Sequence, residues 1–363
     1  MQRRGGISRL YTEVLPRLLT MDPDLEVVLY LRRKLKGGAL PNAPRLDYLH
    51  EGSISPWHWI YGKRRAQAQL LSRAYRRTSC DLFQGTYFSL PITLRTPYVV
   101  TVYDTMDEIY AENISSKEHN RLLRLKSRCI QSADLIFSIS HSTTADIVRF
   151  HRVDPAKIVT VHLGVSLQFR VVRDERLKQV FLQRFGLGRP FFLYVGNRAG
   201  VKNFQRLLHA YVYSNCGADI DLVTVGGEPA FTEQELLIIR EHQLEHSVKH
   251  LPDLDDENLA IAYNLALAFL YPSSYEGFGL PVLEAMACGA PVIASKVASI
   301  PEVAGEAALY VHPEEIGEIA AALCQVRQED CRKALVRAGL RQAERFSWDD
   351  TARTMLDAYR KIL

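Results

Sequence analysis

The sequence predicts an α/β protein of two domains, each a parallel β-sheet covered by helices. Three observations carry this. Short Val- and Ile-rich apolar runs alternate with helical patterns along the 363 residues, the order expected of parallel strands joined by right-handed crossovers. The length exceeds what one ordinary core fills. The net charge of +4 is also unevenly divided: residues 1–165 carry 24 Lys+Arg against 15 Asp+Glu, and the remainder carries 21 against 26. A basic half followed by an acidic half implies different partners for each.

In the first half, buried strands are expected at 25–31, 98–103, 134–140 and 157–162. Helices are expected at 9–19, 66–77, 117–132 and 143–150, the last capped by Ser142. The second half repeats the scheme, with strands at 191–195, 222–225, 248–251, 266–270, 292–294 and 308–311 and helices between them. The seam falls near 163–172, so the domains are 1–165 and 173–345. Residues 346–363 close the chain with a helix whose apolar positions are Met355, Leu356, Tyr359 and Ile362.

Composition is globular, and no run approaches the 18 apolar residues of a membrane span. Met1-Gln2-Arg3-Arg4-Gly5-Gly6 has no apolar stretch behind it and does not read as a signal peptide. Six cysteines are scattered without a C-x-x-C, which fits reduced thiols in a cytoplasm better than a disulfide frame or a zinc site.

The segment Tyr271–Ser295 is the most informative. An apolar strand runs into a Gly/Pro-rich turn, a helix follows, and a second apolar strand begins after Gly289. Glu276 and Glu284 bracket the turn. Open parallel sheets bind ligands at such turns, and the unpaired N–H groups of a helix start attract phosphate. A second strand-to-turn passage, Tyr194-Val195-Gly196-Asn197-Arg198-Ala199-Gly200-Val201-Lys202-Asn203, sets two cations where a diphosphate gaining negative charge would be stabilised.

The positions around the two glutamates, Ser274-Tyr275-Glu276-Gly277-Phe278-Gly279-Leu280-Pro281 through Gly289, resemble the donor-binding signature of the retaining glycosyltransferases of family 4. Gly5-Gly6-Ile7-Ser8-Arg9, Ser138-Ile139-Ser140-His141-Ser142, Val161-His162-Leu163-Gly164-Val165, Tyr194 to Arg198 and Ile300-Pro301-Glu302-Val303-Ala304-Gly305 resemble it in the same order. The resemblance implies a GT-B fold, two Rossmann-like domains facing a cleft, with the terminal helix crossing back to the first. It implies transfer of a hexose, mannose as first guess, from a nucleotide diphosphate sugar to a glycan or lipid-linked acceptor. No cofactor or metal is implied. Arg198 and Lys202 would bind the donor phosphates, with Val201 standing where the family often has a second basic residue. The Gly5-Gly6 loop would approach the diphosphate. Glu276 would take the sugar hydroxyls, Phe278, Gly279 and Leu280 would offer amides to phosphate, and Glu284 would grip the ribose. On the acceptor side Tyr103 stands where many members have His, followed by the matching acid Asp104.

The family also has a strand ahead of the Gly-Gly loop. It has no counterpart here, so the sequence reads as missing that first strand or as starting too late. Two other patterns read as ordinary structure. His242-Gln243-Leu244-Glu245-His246 matches a zinc spacing but belongs to a polar helix, and Asp253-Leu254-Asp255 reads as a helix cap. His119 and His141 read as exposed structural residues. Residues 57–77 are basic and carry Trp57, Trp59 and Tyr61, with no acid between Glu51 and Asp81. They form either a solvated helix face or a contact with an anionic membrane surface. No motif indicates nucleic acid. The expected location is the cytoplasm, at the inner face of the membrane if that contact forms. Two alternatives stay open: a non-catalytic sugar-nucleotide or glycan-binding module, and an epimerase or hydrolase acting on a sugar nucleotide with the same fold.

Overall fold

The computed structural model describes residues 6–31, 45–50, 72, 75, 80–113, 116–228, 230–251 and 253–363. The chain forms two compact units, Met1–Gly164 with Trp348–Leu363, and Val165–Ser347. The expected helix at 66–77, and the basic segment 57–77 apart from Ser72 and Tyr75, lie outside the described residues, as does Gly5.

The first unit opens with α1 (Gly6–Met21), whose Leu10, Val14, Leu15, Leu18 and Leu19 recur at helical spacing and are buried. Strand β1 (Val27–Leu31) pairs in parallel with β2 (Leu46–His50). A separate four-stranded parallel sheet holds β3 (Phe83–Gly85), β4 (Tyr98–Val102), β5 (Leu135–Ser138) and β6 (Ile158–Thr160), in that order. Among the described residues the two ladders are not hydrogen-bonded to each other. Helices α2 (Met106–Ile109), α3 (Lys117–Gln131) and α4 (His141–His151) connect the larger sheet.

The terminal helix Trp348–Ile362 packs on α1 within this unit, burying Trp348, Met355 and Leu356. Ion pairs Arg17–Asp349 (2.7 Å) and Arg360–Asp22 (2.8 Å) flank that seam. Strands β2 and β3 escape sequence patterning because one carries Asp47 and His50 and the other has only three residues.

Helix α4 is capped by Ser140, not Ser142. Ser140 is extended (φ −156°, ψ 159°) and its hydroxyl accepts from the Thr143 N–H, whereas Ser142 already lies inside the helix. His119 is buried rather than exposed: it lies on the inward face of α3, with Nδ1 3.8 Å from Asp107.

The second unit is a doubly wound sheet. In chain order it runs α5 (Glu175–Phe185), β7 (Phe191–Val195), α6 (Phe204–Tyr213), β8 (Asp221–Val225), α7 (Glu233–Glu241), β9 (Val248–Leu251) and α8 (Asp256–Leu265). It continues with β10 (Ala268–Tyr271), α9 (Leu280–Ala287), β11 (Val292–Ser295), α10 (Ile300–Ala304), β12 (Ala308–Val311), α11 (Ile316–Gln325) and α12 (Glu329–Ala343). The six strands lie in the order β12-β11-β10-β7-β8-β9, all parallel. Every residue of β8, β10 and β11 is buried, which explains the apolar runs at 222–223, 268–271 and 292–294; β8 also buries Asp221 and Thr224. Strand β10 starts two residues later than the apolar run, because Ala266 serves as the C-cap of α8.

Asp255 caps α8, accepting from the Asn258 N–H at 2.8 Å, in keeping with the expected capping role of this segment. His242 is the C-cap of α7, and Glu245 and His246 follow in an exposed turn, so the zinc-like pattern does not sit on a helix.

Candidate functional site

From β7 the second unit winds outward through β8 and β9, then returns to the other side of β7 with β10 and winds outward again. Strand order therefore reverses between β7 and β10. At such a switch point the loops leaving the two strands turn to opposite faces and leave a crevice at their carboxyl ends. The loop after β7 carries Lys202 and the loop after β10 carries Glu276.

The two loops are tied together. The Ser274 N–H donates to the Val201 carbonyl at 2.7 Å, and the Asn203 side-chain amide donates to the carbonyls of Pro272 (3.0 Å) and Pro313 (2.6 Å). The Tyr194 hydroxyl donates to the Asn197 carbonyl at 2.5 Å. On this frame the Lys202 ammonium lies 2.5 Å from Glu276 Oε1, and it sits over the Tyr271 ring at 5.5 Å from the centroid. Burial, with the Glu276 charge second, pushes the Tyr271 phenol well above its ordinary value, so it stays protonated.

Behind Glu276, the Ser299 hydroxyl lies 2.9 Å from the carbonyls of both Glu276 and Phe278 and fixes the turn from below. Phe278 is buried against Phe346. Gly279 is the N-cap of α9 at φ +106°, a conformation an L side chain resists. Leu280 begins the helix; Pro281 has no N–H, and the Val282 and Leu283 N–H groups donate to the Gly279 carbonyl. Glu284 lies one turn further along α9, is buried, and accepts from the Tyr263 hydroxyl at 3.4 Å. Burial, reinforced by the Glu284 charge, pushes the neighbouring Cys288 thiol up.

Arg198 does not join this group. Only 5% exposed, it has all five guanidinium N–H donors engaged. Nε pairs with Glu235 at 3.3 Å, Nη1 reaches the Gly226 carbonyl (3.4 Å) and His250 Nδ1 (3.3 Å), and Nη2 reaches the carbonyls of Glu228 (2.9 Å) and Ala230 (2.5 Å). The ring of Phe231 lies 4.9 Å from it. Burial and the Arg198 charge together lower the His250 pKa, keeping that ring neutral and accepting. Arg198 is therefore not brought together with Lys202 and Glu276 in this structure: its donors are spent on the loop after β8, on Glu235 of α7 and on His250 of β9, and Lys202 is the cation beside Glu276.

In the first unit the loop after β4 carries Tyr103 and Asp104. The Tyr103 hydroxyl donates to the Thr86 carbonyl at 2.9 Å and lies 3.5 Å from Tyr11. Burial, with Tyr11 beside it, raises the phenol well above its ordinary value, so it is no base. Asp104 Oδ1 accepts from the Met106 N–H at 3.1 Å, and burial raises its pKa against the opposing charge of Lys126. Gly6 is the first, exposed residue of α1.

Sequence reasoning assigned no role to Tyr271, Ser299, Asn203 or Tyr263. Tyr271 ends β10 and Asn203 ends the loop after β7, and Ser299 directly precedes the Ile300-Pro301 helix start. Their roles depend on contacts 20 to 110 residues apart in sequence, such as Asn203 with Pro313.

Residues 176–341 match the family profile described as Glycosyl transferases group 1, and residues 4–169 match that of Glycosyltransferase Family 4. The O-antigen chain mannosyltransferase B of Escherichia coli is 31% identical over 314 residues, which is 85% of this chain and 80% of that one. The serotype-specific mannosyltransferase WbdA of Escherichia coli is 28% identical over 242 residues, covering 64% of this chain and 29% of that longer protein. Among solved structures, Anabaena HepE in complex with UDP and glucose superposes with a TM-score of 0.76 at 16% identity, over 99% of this chain and 97% of that one.

Two parallel-sheet Rossmann-like units of this kind define a glycosyltransferase of the GT-B fold. The chain belongs to glycosyltransferase family 4.

Proposed function

We propose that this chain is a retaining hexosyltransferase that moves mannose from a nucleotide diphosphate sugar to a glycan or lipid-linked acceptor, in synthesis of a polysaccharide of the O-antigen type. The mannosyltransferase names of the relatives support the sugar and the pathway class. The observation that carries the chemistry is the meeting of Lys202 and Glu276 at a switch-point crevice.

Such a pair suits both ends of a sugar diphosphate. The ammonium would turn to the diphosphate, whose leaving oxygen gains charge as the C1–O bond breaks. The freed carboxylate would accept from the sugar hydroxyls. The amides of Phe278, Gly279 and Leu280 at the start of α9 would add phosphate contacts, and Glu284 would hold the ribose 2′- and 3′-hydroxyls. The acceptor oxygen would bond to C1 on the face the phosphate leaves, its proton passing to the departing phosphate oxygen. No protein nucleophile is then needed and configuration is retained. Arg198 would act indirectly, by holding the loop after β8. On the first unit, Asp104 would accept from an acceptor hydroxyl, with Tyr103 shaping the turn, and Gly5-Gly6 would let backbone approach the donor.

Transfer would need no metal. Among the described residues no helix is long and apolar enough to cross a membrane. A cytoplasmic enzyme touching the inner membrane face through residues 57–77 would meet a lipid-linked acceptor. Incubation with a panel of nucleotide sugars, with and without glycan acceptors, tests the reading. Acceptor-dependent nucleotide release with GDP-mannose is the expected result. Binding without release would indicate a binding module, and acceptor-independent conversion an epimerase or hydrolase.

A further inference from the structure

Lys126 is 1% exposed, in a unit whose proposed chemistry makes no use of it. A buried ammonium is costly unless paired and hydrogen-bonded, so its partners indicate what retains it. Nζ donates to the Asp104 carbonyl at 2.9 Å and to Glu108 Oε2 at 2.6 Å, and it lies 5.3 Å from the centre of the Phe88 ring. The first goes to the turn that follows β4 and the second to α2, which that turn leads into. Glu108 is held from its other oxygen by His151 Nε2 of α4 at 3.0 Å, and the Thr105 hydroxyl donates to Asp146 at 2.9 Å. The segment Asp104–Glu108 is thus pinned by α3 and α4.

We propose that Lys126 is a positioning residue for Asp104, holding its backbone through the carbonyl and so fixing where its carboxylate stands for the acceptor. The proposal rests on the reading of Asp104 as the acceptor-side carboxylate. A methionine would fill the same space, so packing alone does not require a cation. The surroundings do. Asp104, Asp107 and Glu108 crowd the turn, and Lys126 is the cation among them, with Asp107 Oδ2 at 4.0 Å. The other titratable groups facing this turn are Asp146, on the Thr105 hydroxyl, His119, 3.8 Å from Asp107, His151 on Glu108, and the Tyr87 phenol, which burial and the charges of Asp107, Asp104 and Glu108 raise. Lys126 opposes the rise that burial imposes on Asp104, and does so more strongly than Glu108 adds to it.

The test is steady-state transfer by the full chain across the acid and neutral range, with nucleotide binding measured in parallel. Lys126→Met is expected to lower kcat about tenfold or more and to move the acid limb of the pH–rate profile up by about one pH unit, leaving nucleotide affinity unchanged. Lys126→Met/Glu108→Gln removes the orphaned carboxylate that could unfold the single variant, and it should shift the limb the same way by less. Asp104→Asn separates the two ideas. If Asp104→Asn transfers at the normal rate with a normal profile, the acceptor-side reading itself fails. If Asp104→Asn is impaired while the Lys126 variants, per folded molecule, keep the normal kcat and acid limb, Lys126 only stabilises the fold and the proposal is overturned.

Discussion

The Lys202 ammonium and the Glu276 carboxylate meet at 2.5 Å although 74 residues separate them in the chain. The pair is partly solvated, so it contributes only about 1 kcal/mol to stability. Opening it to admit a charged, hydroxyl-rich ligand is correspondingly cheap. Glu276→Ala is expected to reduce transfer by about 10²–10³-fold while leaving nucleotide affinity nearly intact. Lys202→Ala should weaken nucleotide diphosphate binding as well as kcat. Calorimetric titration with the nucleotide beside steady-state kinetics checks both, and normal turnover in each would remove the pair from the site.

Glu284 should behave differently. It lies on α9, buried, with the Tyr263 hydroxyl as one partner. Glu284→Gln keeps the shape but loses a charged acceptor, and should raise the donor KM about tenfold with a smaller change in kcat. An unchanged KM would exclude Glu284 from ribose contact.

Arg198→Met tests whether that arginine holds the loop after β8 or meets phosphate. It leaves the buried Glu235 without its cation, accepting from the Thr232 N–H, and frees the carbonyls of Gly226, Glu228 and Ala230. The expected cost is about 3–5 kcal/mol, a fall in Tm of about 10 °C for a unit of this size. A variant that melts normally but loses nucleotide affinity would restore direct phosphate binding.

Gly279→Ala places a Cβ at φ +106°, where crowding is not the obstacle, since no atom comes nearer than 3.8 Å, but the backbone angle is. The expected loss is about 1–3 kcal/mol, or a reoriented start of α9. Thermal melts with and without nucleotide distinguish these, because reorientation would shrink the stabilisation by ligand.

Glu108 gives a pH dependence of stability. Its carboxyl is held below the ordinary value: burial alone would raise it, but the His151 hydrogen bond and the Lys126 charge outweigh that. A depressed acid contributes stability that is fully present above its unfolded pKa, about 4.3, and is lost as pH falls through the folded value. Denaturant melts at falling pH should show the first unit weakening below that range, and Glu108→Gln should flatten the slope.

Much of the fold was legible because strands buried on both faces carry continuous apolar runs. Phe191–Val195 forms a strand where such a run lies. Legibility failed at Phe83–Gly85, which is too short for a pattern, and at Ser142, where neighbouring serines both look like caps and only the backbone angle of Ser140 decides. In the site, the two loops that carry Lys202 and Glu276 could be named from residue type and spacing. Arg198 had the same chemistry and the same kind of loop as Lys202, and nothing local distinguished them.

By itself, the sequence determined the parallel α/β organisation, the family signature and the loops on which cations and carboxylates stand, because periodicity and turn chemistry are properties of neighbouring residues. Tertiary structure alone decided that Lys202 faces Glu276 while Arg198 turns inward to Glu235, and that Lys126 is buried beneath Asp104. Those outcomes depend on which strands lie side by side and which donors find acceptors in a dehydrated interior. They are set by contacts between segments tens of residues apart, beyond the reach of any local pattern.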